Sequence, residues 1–376
     1  MAFVSTIGFP WGGCELLWTA AAKEALLQGH EVLVSVFDWP QQHPKIEELK
    51  TLGATLHYRR RFFPSLPERV RKKIMNRLLP SGRKATYHDY LLQFKADRIL
   101  FNLAGGDEIA RSDDDLMVFI RQSEIPFFVA YHSLSDRPQF DSRTIENYIF
   151  QVNKARVNLF TSRLQLDLLQ HQIASKIPRA SVIDHPLNIS KGAIPDYPSG
   201  EPVNFAVVGS LVCRWKGQDL LMRILSGPQW EARPWKLNIY GEGEDRQYLE
   251  SLASYYGIRQ RVFFHGYEND PGRIWQHNHV LLAPSRQDSG PIVCFEAMYF
   301  ARPVVGSRMG AMPQYITDGE TGVLSAGISE KDYEEALEKA WGNRDHWKEW
   351  GENGKKRLER EYNFAAGETL LALLVQ

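Results

Sequence analysis

Short, almost wholly apolar runs alternate along the chain with longer segments whose apolar residues recur at helical spacing. Residues 3–7, 31–37, 98–103, 127–132, 158–162 and 181–185 read as strands, each followed by a helical stretch. Runs apolar at every position are expected of strands covered on both faces, so the pattern predicts a parallel, doubly wound sheet. From residue 191 to 202 the composition turns to Gly, Pro, Asp and Ser, with Pro195, Pro198 and Pro202, which reads as a linker. A second cycle then begins: strand 204–208, loop 209–217, a helix from Gln218, strand ends at 237–243 and 262–266, strand 279–284 and helix 292–301. Helices at 330–341, 345–360 and 364–375 close the chain. The expected fold class is α/β with two Rossmann-like domains, 1–190 and 203–360, a linker at 191–202 and a terminal segment at 361–376.

Composition changes this picture little. A chain of 376 residues with 43% hydrophobic content suits two soluble domains. Forty-five basic and 45 acidic residues leave no net charge, which argues against a general nucleic-acid binder. Cys14, Cys213 and Cys294 are too scattered for a disulfide framework or zinc site, and a reducing cytoplasm is expected. No window has the length or apolarity of a membrane span, and the first residues lack the basic start of an export signal. Charge is uneven, however. Between 58 and 84 stand Arg59, Arg60, Arg61, Arg69, Arg71, Lys72, Lys73, Arg77, Arg83 and Lys84 against Glu68 alone, a local charge of +9. Leu66, Val70, Ile74 and Leu78 recur there every fourth residue. A helix with that apolar stripe between cations fits the surface of an anionic bilayer; equally, the stripe packs on its own domain and the cations are solvated or meet a phosphorylated acceptor.

Chemistry concentrates at Asp288-Ser-Gly-Pro-Ile-Val-Cys-Phe-Glu296, which sets two carboxylates eight residues apart across a loop-to-helix junction. Ser289 or Gly290 is expected to cap the helix with Pro291 in its first turn, leaving the N–H groups around Ile292 and Val293 to meet an anion. Near the start of the chain, Gly12 and Gly13 open a βα unit without the spacing of a dinucleotide fingerprint, so NAD binding is rejected. Lys216 beside Gly217 lies between a strand and a helix, where phosphate charge is met. His132 ends a strand, the side of an α/β sheet from which residues reach a ligand. Each has a plain alternative: an ordinary βα unit for Asp288 and Glu296, a tight turn for the glycines, a solvated lysine, a structural histidine. Ser112-Asp-Asp-Asp115 is read as a helix cap with acids in the first turn rather than a metal motif, and His277 and His279 as structural.

Asp288-x7-Glu296, with Arg302-Pro-Val-Val-Gly306, Gly310-Ala-Met-Pro-Gln314 and Asp318-Gly-Glu-Thr-Gly-Val-Leu324, resembles the donor half of family 4 retaining GT-B glycosyltransferases. That family's motif has Glu where this chain has Asp288. The resemblance implies two domains facing a cleft, with a C-terminal helix crossing back to the first. It further implies transfer of a sugar, without a metal or other cofactor, from a UDP or GDP sugar to a saccharide or lipid-linked acceptor in cell-surface glycan or glycolipid synthesis. His132, Asp288, Lys216 and Glu296 would carry the chemistry; Gly12, Gly13, Ser210, Arg214, Ser289, Gly290, Ile292 and Val293 would line the donor and its phosphates. Ser210 stands where the family has an arginine, and Arg214 is the nearest substitute. The enzyme would be cytoplasmic, on the inner membrane face if the basic stretch docks there. Two other readings are a non-catalytic module that kept the fold, and a nucleotide-sugar epimerase or a phosphorylase.

Overall fold

The computed structural model describes all residues except 61–65, 79–83, 112–114, 135–139, 188, 190–193 and 289. It divides into two compact units, Met1–Pro186 with Asn363–Gln376, and Leu187–Tyr362.

The first unit is built on a seven-stranded parallel sheet: β1 (Ala2–Ser5), β2 (Leu33–Phe37), β3 (Thr55–Arg59), β4 (Ile99–Leu103), β5 (Phe127–Tyr131), β6 (Val157–Phe160) and β7 (Ala180–Val182), in the order β3-β2-β1-β4-β5-β6-β7. β1, β4 and β5 are buried throughout, as their largely apolar runs require, with Ser5 and Asn102 the polar residues among them. β3 is absent from the reading above because Thr-Leu-His-Tyr-Arg is an edge strand whose side chains are half-buried or exposed.

The second unit holds six parallel strands: β8 (Val203–Val208), β9 (Trp235–Tyr240), β10 (Val262–Gly266), β11 (Val280–Ala283), β12 (Val304–Gly306) and β13 (Gly322–Leu324), in the order β10-β9-β8-β11-β12-β13. In each sheet the strand order reverses beside the first strand, between β1 and β4 and between β8 and β11. Such a switch point parts the following loops and opens a crevice at the carboxyl ends of the strands.

The units part at Pro186 rather than at residue 190, because the segment after it is held by the second sheet. Arg302 is buried and donates to the carbonyls of Pro195, Asp196, Trp275, Asn278 and Phe300, while Tyr197 donates to the carbonyl of His279. The terminal helix Ala366–Val375 belongs to the first unit, burying Leu370, Leu371 and Leu374 with Trp18, Ala21 and Ala25 of the helix Glu15–Leu27.

The helix Leu66–Leu78 buries none of its residues. Leu66 and Leu78 are 74% and 73% exposed, and Val70 and Ile74 face solvent with them. Lys72, on the opposite side, reaches Asp115 at 2.8 Å and lies over the Tyr87 ring. An ordinary surface helix turns its apolar side inward; this one is inverted. The expected cap Ser112 lies outside the described residues. Asp115 stands at the N-cap position of the helix Leu116–Gln122 rather than in its first turn, and it binds Lys72 and, at 3.0 Å, His88.

Candidate functional site

In the second unit the loops after β8 and β11, on either side of the switch point, bring Lys216 and Asp288 together at 2.5 Å between Nζ and Oδ2. Glycine makes this approach possible. Gly217 has φ +67°, and a Cβ there would sit 2.1 Å from the Pro284 carbonyl oxygen; Gly241 has φ +130°, and its Cβ would sit 2.0 Å from that of Gly209. The loops after β8, β9 and β11 therefore pack backbone on backbone.

Arg286 holds the same arrangement from behind. Its guanidinium donates to both carboxylate oxygens of Asp219, at 2.6 and 3.0 Å, and to the Cys213 carbonyl at 2.7 Å. This fork was not foreseen; an arginine two residues before Asp288 was the available sign.

The helix Ile292–Tyr299 follows. It is shorter than expected, and Pro291 occupies the position before the first helical residue, not the first turn, with no side-chain cap. Ser289 lies outside the described residues. Ile292, Val293 and Glu296 are half-buried, so the start of the helix and its carboxylate both reach the surface. Behind them is Cys294, fully buried, whose thiol burial pushes well above its ordinary range; Asp288 and Glu296 add to the rise and Lys216 opposes it. The three charged groups thus all act on one buried thiol.

Arg214 is placed differently. It is exposed, stacks over Trp215 at 4.4 Å and faces Glu244 at 3.7 Å. Ser210 is exposed, its carbonyl accepting from the Gln218 amide. Among the described residues no three His, Cys, Asp or Glu side chains are grouped to hold a metal ion. His279 accepts from the Asn204 backbone N–H at 3.0 Å.

In the first unit, Gly12 and Gly13 form the turn into the helix Glu15–Leu27, their carbonyls accepting from the N–H groups of Glu15 and Leu16. His132 is buried at the end of β5, its ring nitrogens 2.5 Å from Asn102 Oδ1 and 3.3 Å from His185 Nε2. Burial, with a contribution from His185, holds its pKa well below the usual histidine range. Asn102, Glu15 and His185 were missed, although a glutamate on an otherwise apolar helix face and an asparagine inside Ile-Leu-Phe-Asn-Leu were visible signals.

Residues 197–357 match the family described as Glycosyl transferases group 1. HepE from Anabaena, solved in complex with UDP, superposes with a TM-score of 0.71 over 99% of this chain and 98% of that one, at 16% identity.

The chain is a GT-B glycosyltransferase.

This glycosyltransferase is 23% identical over 366 residues to the lipopolysaccharide glucosyltransferase WaaG of Escherichia coli, covering 92% of this chain and 91% of that one. It is 28% identical over 138 residues to the lipopolysaccharide 1,6-galactosyltransferase of Salmonella typhimurium, an alignment that spans 38% of that enzyme's length. The non-catalytic alternative gives way to these likenesses. No helix among the described residues is long and apolar enough to cross a membrane.

Proposed function

We propose that this glycosyltransferase moves a sugar from a UDP or GDP sugar to a hydroxyl of a saccharide or lipid-linked acceptor in cell-surface glycan synthesis, retaining anomeric configuration and requiring no metal. The observation that carries the reading is the convergence of Lys216 on Asp288 beside the helix that bears Glu296, at the carboxyl ends of β8 and β11. Lys216 and the N–H groups at the start of that helix supply positive potential where the diphosphate leaves. Glu296 accepts from the ribose hydroxyls. Asp288 exchanges its bond to Lys216 for one to the sugar as the lysine turns to phosphate, and its charge favours the positive anomeric carbon. We assign His132, in the first unit, to contact with the transferred sugar. The departing phosphate takes the acceptor proton in a front-side displacement. HepE binds UDP, and WaaG is a lipopolysaccharide glucosyltransferase; both support this choice of donor and acceptor classes.

Calorimetric titration with UDP and GDP in the absence of metal tests it. One nucleotide is expected to bind in the micromolar range, and Lys216→Ala to weaken that binding on the order of 10- to 100-fold, the worth of one charge-assisted hydrogen bond. Glu296→Ala is expected to weaken it as well. Failure of both nucleotides to bind at millimolar concentration would remove the reading.

The inverted helix Leu66–Leu78 supports a second element, docking on an anionic bilayer. Its exposed stripe inserts among the acyl chains while neighbouring cations meet the headgroups. Binding to phosphatidylglycerol vesicles but not to phosphatidylcholine vesicles is expected, and Ile74→Asp with Leu78→Asp should abolish it. Equal binding by that double variant would refute the docking.

A further inference from the structure

Five segments of the first unit send buried polar side chains into one chain of hydrogen bonds. Ser5 Oγ on β1 donates to Glu15 Oε1 at 2.7 Å, and Asn102 Nδ2 on β4 donates to the same oxygen at 3.1 Å. Asn102 Oδ1 lies 2.5 Å from His132 Nε2, and His132 Nδ1 lies 3.3 Å from Nε2 of His185, which follows β7. All five side chains are buried. This path passes through His132 to His185, and apart from His132 it includes none of the groups assigned above to the donor.

The direction of every bond follows from its first member. An ionised carboxylate accepts and never donates, so Asn102 must turn its NH2 toward Glu15. Its carbonyl oxygen then faces His132, and only an Nε2–H can meet it. His132 is a neutral imidazole carrying one proton, so Nδ1 bears the lone pair and His185 must donate to it.

We propose that Glu15 is a positioning residue for His132: by accepting from Asn102 it sets the amide's orientation, and through the amide it holds His132 in the Nε2–H tautomer with the Nδ1 lone pair available. The functional part rests on the assignment of His132 to the sugar; the tautomer does not. A ring nitrogen with a lone pair serves a substrate hydroxyl that donates, and the 3.3 Å bond from His185 is long enough to be exchanged for it. A neutral ring also adds no positive charge beside an anomeric carbon that is itself becoming positive.

Nitrogen-15 NMR of histidine-labelled full-length protein at pH 8, with the His132 signals assigned by His132→Gln, reads the tautomer directly. The wild type is expected to show Nε2–H. Glu15→Gln is expected to keep it, because the Gln oxygen accepts in the same place. Glu15→Leu removes the acceptor, so the Nδ1–H form should appear, with kcat lowered on the order of tenfold and the donor KM changed less than about twofold. An Nδ1–H wild type would overturn the proposal, as would a folded Glu15→Leu with unchanged tautomer. Should Glu15→Leu not fold, the wild-type and Glu15→Gln spectra decide. Should the chain not bind a nucleotide, the tautomer reading stands or falls by itself.

Discussion

Replacing Glu15 by Gln is expected to stabilise the protein at pH 8 by much more than at pH 5. Burial pushes the Glu15 carboxyl from an ordinary value of about 4.5 up to about 7, against bonds from Ser5 and Asn102 and the charge of Arg59, which all favour the ionised form. In the unfolded chain the group loses its proton near pH 4.5; in the folded protein it keeps it until about 7. Between those values the folded state binds more protons, so the stability Glu15 confers falls as pH rises and levels off above 7. At 1.36 kcal/mol per tenfold change in proton affinity, the gap amounts to about 3 kcal/mol. Gln resembles the protonated acid in shape and cannot ionise, so the variant should exceed the wild type by less than about 1 kcal/mol at pH 5 and by up to about 3 kcal/mol at pH 8. Urea unfolding at the two pH values, followed by signals from the first unit, measures the difference. Other groups titrate alike in both proteins and cancel. An equal difference at pH 5 and pH 8, or a variant less stable at pH 8, would refute the reasoning.

Gly241→Ala is expected to destabilise the second unit on the order of 3 kcal/mol, since its methyl group would meet the Gly209 carbonyl at 2.0 Å from a backbone at φ +130°; thermal unfolding and loss of nucleotide binding report it together. Arg302→Lys should cost roughly 3 kcal/mol or more, because one ammonium cannot serve five carbonyls and each one left buried without a donor costs about 1–3 kcal/mol. Faster proteolysis between residues 187 and 202, which Arg302 fastens to the second sheet, checks that outcome.

The two parallel sheets were legible in the residues alone because strands covered on both faces must be apolar at almost every position, and Ala2–Ser5, Ile99–Leu103 and Phe127–Tyr131 are. The close packing of the loops that carry Lys216 and Asp288 was legible for a similar reason: glycines beside Lys216 and around Asp288 mark places where backbone comes close to a ligand or to another loop. β3 escaped because an edge strand may carry any side chain on its open side. Tertiary structure alone decided how the polar side chains pair. Glu15 and Asn102 are 87 residues apart and His132 and His185 are 53 apart, and local pattern carries no information about which side chain lies across a crevice. Likewise, spacing announced an amphipathic helix at Leu66–Leu78, but only its bond from Lys72 to Asp115 showed which face turns outward. Periodicity records what each residue prefers as a neighbour; the identity of that neighbour is settled when distant segments fold together.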